Sequence, residues 1–137
     1  MKISDVKIDA TKFEHGAWVD NIPEMGNLRL KVRGINNASW RRLQATMIAA
    51  VPRAKKIGGR IDPEEQDRIT ATCLRKACLL DWENLENDDG APIPYSDEVA
   101  GKLLTDPATQ RFRDAVSWAA NTVADEDAEA VKDTVGN

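Results

Sequence analysis

The stretch "LLDWENLENDDGAPIPYSDEVAGKLL", residues 79–104 of a 137-residue chain, decides how the rest is read. An apolar run closes on Trp82, an acidic turn follows, and Pro92 and Pro94 hold the backbone out of a helix until Ser96 can cap the next one. Asp89-Gly90 suits a turn that needs a left-handed residue. Upstream, Asp62 and Glu65 have the spacing of a capping box, with Pro63 at the first helical position. Ile69, Cys73, Ala77 and Leu80 then share one face, which predicts a helix running from 63 through Trp82.

Downstream, Ser96 opens a short helix carrying Val99, Leu103 and Leu104. Asp106 and Pro107 restart the chain into a last helix whose stripe is Phe112, Val116, Ala119 and Val123. Trp118 points roughly 130° from the centre of that stripe at 100° per residue. Either a second packing surface covers it, or it is an exposed anchor of the kind enriched at interaction hot spots.

Toward the N-terminus the period changes from helical to two. "DVKIDATKF" alternates Val6, Ile8 and Ala10 with polar residues, and "NLRLKVRG" alternates Leu28, Leu30 and Val32 with Arg29, Lys31 and Arg33. "GAWVDNI" is the expected partner strand of a hairpin. Helical periodicity begins at Ser39, read as an N-cap, with Trp40, Leu43, Met47 and Val51 on one stripe ended by Pro52. "RAKKIGGR" reads as a flexible basic connector. The expected architecture is a mainly helical α+β domain. A small β element over 1–35 is followed by a body of about four helices over 36–123 and an acidic flexible tail over 124–137.

The length fits one compact domain with a core of its own. No window approaches the ~20 apolar residues of a membrane span, and the first residues lack the apolar segment of a secretory signal. Cys73 and Cys78, five apart, match no redox or metal-ligand spacing and read as small buried residues of a protein in a reducing cytoplasm. The net charge of -4 hides an asymmetry. Residues 1–60 hold twelve Lys and Arg against five Asp and Glu, and residues 61–137 hold seven against eighteen. The halves therefore carry +7 and -11. Such a split serves nucleic acid, attracts the two halves within or between copies, or reflects scattered solvated charge.

Chemistry finds little support. His15 is the one histidine and sits beside Gly16, with no general-base partner in the pattern. Ser96 lies in no nucleophile elbow. "ENDDG" lacks the alternating ligands and terminal Glu of a calcium loop. "KIGGR" lacks the Lys-Ser/Thr ending of a phosphate loop. The expectation is a protein with no catalytic residue, no metal and no cofactor.

The run from Leu79 to Ala120 resembles the tail assembly chaperones of long-tailed bacteriophages: a helix ending in a Trp, an Asp-Gly turn, a Pro-x-Ser/Thr cap, and a Leu-Leu helix leading into a last helix. "MGNLRLKVRGINNASWRRLQATMIAAVPR" is similar to their N-termini. The resemblance implies a small helical protein of the infected host's cytoplasm, absent from the mature virion. Its partners would be the tape measure protein and, through a frameshifted longer form, the tail tube protein. This chain would be the shorter form. On that reading Trp82 and Tyr95 clamp the two helices across the Asp89-Gly90 turn, with Ser96 as cap. Trp118, Arg41 and Arg42 are the partner-binding candidates, and the two arginines would serve self-association. Two other readings stand beside it. One is a structural subunit of the phage particle. The other is a nucleic-acid-binding protein using the basic N-terminal half with Trp40 stacking on bases, against which the acidic pI of about 5.0 counts.

Overall fold

The computed structural model describes residues 1–3 and 10–135, with side chains described for 1–3 and 11–125. A three-stranded antiparallel sheet organises it: β1 (Ala17–Val19), β2 (Arg29–Val32) and β5 (Leu79–Glu83), in the order β1-β2-β5. Leu30 and Val32 are fully buried on one face of β2, as the alternation predicts, while Arg29 and Lys31 face outward in part. The expected hairpin is present, with Trp18 opposite Lys31 and Val19 opposite Leu30.

The other expected strand, "DVKIDATKF", is described only from Ala10 on, and there it is not a strand. Val6 and Ile8 lie outside the described residues, and Ala10–His15 is a short helix, α1. It stops at Gly16, whose φ of 95° admits a left-handed residue and whose N–H donates to the Lys12 carbonyl. Phe13 of α1 presses its ring against Gly34, where any Cβ would overlap it.

Helix α2 (Ala38–Ala50) is capped two residues earlier than the Ser39 reading, because Asn37 is the better placed acceptor: its Oδ1 takes the Trp40 N–H at 3.0 Å. Trp40 is buried, Leu43, Met47 and Ile48 are half-buried, and Val51 closes the face before Pro52. The supposed flexible connector is ordered. A 3-10 turn (Arg53–Lys55) leads into a tight hairpin, β3 (Lys56–Ile57) and β4 (Arg60–Ile61). Gly58 and Gly59, at φ 60° and 76°, form its two-residue turn, whose positive φ at both places favours glycine.

Helix α3 (Pro63–Cys73) begins where predicted, with Pro63 in the first turn. The capping box does not form. Asp62 caps through its backbone carbonyl, which accepts from the Gln66 N–H, while Glu65 pairs with Arg68 at 2.8 Å. The helix then widens into a π turn over Leu74–Cys78, and the Leu79 N–H donates back to the Leu74 carbonyl. That extra residue ends the helical face early. Ile69, Cys73 and Ala77 are buried as expected, but Leu80 is 36% exposed and Trp82 lies on a strand. The helix predicted through Trp82 is thus corrected to a helix ending at Cys78 and a strand, β5, added to β2. The pairing is also electrostatic: Arg29 lies opposite Glu83, with a 2.6 Å ion pair, and Lys31 lies opposite Asp81.

Ser96 caps α4 (Asp97–Thr105) as predicted, its Oγ accepting from the Val99 N–H at 3.1 Å. Asp106 accepts from the Ala108 N–H and opens a 3-10 turn (Pro107–Thr109) that runs into α5 (Gln110–Val135). The predicted stripe of α5 is buried throughout. Arg113 to Asp67 and Arg75 to Asp97 tie α5 to α3 and α4 to the π turn. The helix passes the expected boundary at 124 and continues to Val135. Among the described residues no helix is long and apolar enough to cross a membrane.

Candidate functional site

Three surfaces hold the residues singled out by the sequence. The first is the connector between β5 and α4. Trp82 sits at its centre with its ring edge-on to Tyr95 at 4.9 Å and to Phe112 at 5.7 Å, and its indole N–H donates to the Ile93 carbonyl at 2.7 Å. The two aromatics therefore join a strand, where a helix was expected, to the start of α4 and lay both on α5. Burial, then the carboxylates of Asp97 and Asp81, push the Tyr95 phenol above its ordinary range. The turn itself is organised by Asn87. Its Oδ1 accepts from the Asp89 and Ala91 N–H groups, both at 3.0 Å, and its carbonyl takes the Gly90 N–H.

Gly90 has φ 83° and open space where a Cβ would stand. Gly90→Val therefore meets no steric contact, only the left-handed backbone, and is expected to lose about 1–2 kcal/mol of stability. A chemical-denaturation midpoint measures this. Because nothing would touch the new side chain, Gly90→Asn should recover most of the loss, and an unchanged midpoint for the valine variant would refute the strain.

The second surface is a cleft beside Trp118. The residue is 39% exposed. Across the cleft stands the loop after β1. Ile22, Pro23 and Met25 line one side of a cleft of about 170 Å³ whose other side is Ala115 and Trp118, with Glu24, Arg111 and Asp114 as its charged lining. Asn21 and Glu24 both hold positive φ, 52° and 64°, a conformation that costs a non-glycine residue about 1 kcal/mol or more. Sequence reasoning found Trp118 but not this wall, because left-handed Asn and Glu leave no periodic signal. Glu24, Met25 and Arg111 also line a second cleft of about 480 Å³ that reaches Leu28, Leu85, Leu103 and Phe112. The two clefts adjoin along α5.

The third surface is α2 with the β3–β4 hairpin. Arg41 and Arg42 are exposed there, have no ion pair among the described residues, and line neither cleft. Trp40 of the same helix is buried in the core, which overturns its suggested role in stacking on bases.

The groups considered for chemistry are dispersed. His15 is exposed at the end of α1, and Ser96 Oγ is used as a cap. Both cysteines are free and buried, and burial raises Cys73 and pushes the Cys78 thiol up to about 12, so both are held as neutral thiols.

A mainly helical α+β domain with a groove along its last helix is a class defined by shape alone. Sequence comparison narrows it. The family model of the YdaY prophage protein matches residues 35–137, about three quarters of the chain, and the chain belongs to that family. It is a phage-derived protein. No curated protein and no solved structure matches it.

Proposed function

We propose that this phage-derived chain is a tail assembly chaperone that binds the tape measure protein, keeps it soluble and helps recruit tail tube subunits, performing no catalysis. The observation that carries this reading is the groove along α5, part apolar and part charged, with Trp118 half-open at one end, Phe112, Leu103 and Leu85 along the other, and Glu24 and Arg111 between them. An amphipathic helix docks in such a groove through apolar residues at helical spacing, and a long helical client supplies many such segments. The sequence resemblance over Leu79 to Ala120 and membership of a prophage family support the same assignment. The protein acts in the infected cell and leaves before the virion matures.

Co-expression with the tape measure protein tests this. The chain should hold the client in the soluble fraction and co-purify with it. Trp118→Ala should weaken the complex by about 2 kcal/mol or more, roughly thirtyfold in Kd, while leaving the melting curve near that of the parent. A client that aggregates equally with and without the chain would sink the proposal. Stoichiometric chain in purified virions would replace it with the structural-subunit reading.

A further inference from the structure

From Met25 to Ile61 the chain contains nine Lys and Arg and no Asp or Glu. Arg29 and Arg33 are paired, with Glu83 and Glu14, and Lys31 lies opposite Asp81. The other six are Arg41, Arg42, Arg53, Lys55, Lys56 and Arg60, and none has an ion pair among the described residues. They occupy α2 and the hairpin that follows it, with Ile57 78% exposed at the hairpin turn. This is a basic surface with an apolar tip and no neutralising ion pair among the described residues.

The same chain carries the complement. Glu86, Asp88 and Asp89 are exposed on the connector turn and likewise lack ion pairs among the described residues. The Asn87 hydrogen bonds order the backbone of that turn, so the three acidic residues project from one defined loop. We propose that the basic face of α2 and the hairpin docks on the acidic connector turn of a second copy. Passed from one copy to the next, the contact is head-to-tail and propagates into rings or filaments. A nucleic acid is the weaker occupant. The only aromatic of α2 is buried, and the chain's net charge of -4 opposes a polyanion as a whole.

Sedimentation velocity on the nuclease-treated full chain decides the matter. Oligomers should be larger at low salt and shrink at high salt, since exposed charges are screened over about 8–10 Å near physiological ionic strength. Arg41→Glu with Arg42→Glu, and separately Asp88→Lys with Asp89→Lys, should each raise the dissociation constant on the order of tenfold or more. Mixing the two variants should restore large species, because every contact in the mixture can again pair opposite charges. All four side chains are exposed, and unchanged melting curves would show that the fold is kept. Three results overturn the proposal: one salt-independent species, an effect of the arginine reversals without any effect of the aspartate reversals, or assembly that disappears on nuclease treatment. The last would assign the basic face to nucleic acid.

Discussion

Asn37→Ala is expected to lower the unfolding free energy by about 3–5 kcal/mol, a fall of roughly 10–15 °C or more in Tm. Asn37 is completely buried and uses both ends of its amide. Its Nδ2 donates to the Ala77 carbonyl at 2.6 Å and the Gly34 carbonyl at 2.9 Å, and its Oδ1 caps α2 through the Trp40 N–H. Loss of the cap alone accounts for about 1 kcal/mol. The rest arises because the Ala77 carbonyl, at the π turn, is left in the core without its side-chain donor. Asn37→Ser restores the cap acceptor but does not reach Ala77, so it should recover only the smaller part. Equilibrium denaturation of both variants measures the split. A loss near 1 kcal/mol for alanine would show that the link between α2 and the π turn contributes nothing beyond an ordinary cap.

Trp82→Ala should cost about 4 kcal/mol, within the range for deleting a buried indole. Two edge-on ring contacts and the bond to the Ile93 carbonyl go with it. Trp82→Phe keeps a ring against Tyr95 and Phe112 and loses the N–H, so its cost should be about 1–2 kcal/mol. The location of the damage discriminates further. If Trp82 clamps the connector, amide hydrogen exchange between 84 and 96 should accelerate in the alanine variant before the protection of α5 falls. Uniform loss across the chain would make Trp82 an ordinary core residue with no special hold on the turn.

Much of the fold is legible in the sequence because many of its signals are local. The two-residue period of β2, the Pro63 start, the Ser96 and Asp106 caps, the left-handed Gly90 and the α5 stripe each need only a few neighbouring residues, and each is found where expected. The failures are of another kind. Leu79–Glu83 continues a plausible helical face, and only the π turn and pairing with a strand 54 residues earlier make it a strand. The alternation of Arg29 and Lys31 against Asp81 and Glu83 carries a trace of that pairing, but no local rule selects it. Likewise Asn37 outcompetes Ser39 as cap because Ala77, forty residues away, completes its bonding. Of the candidate site, the exposed Trp118 could be read from helical geometry, whereas the loop that makes a cleft of it depends on two backbone conformations without a sequence signature.

The central position of β2 also governs how the chain emerges from the ribosome. One edge of β2 pairs with β1 as soon as the hairpin is made, but the other waits for β5. Glu83 follows Arg29 by 54 residues, which translation at roughly 5–20 residues per second covers in about 3–11 s. Throughout that interval a nascent strand edge lies open in a crowded cytosol, where like strands from neighbouring polysomes could pair with it. Arg29 and Lys31 put positive charge on that strand, and like charges on identical edges are expected to oppose their pairing until the acidic strand arrives. The residues that fix the native register thereby also protect the chain before that register exists.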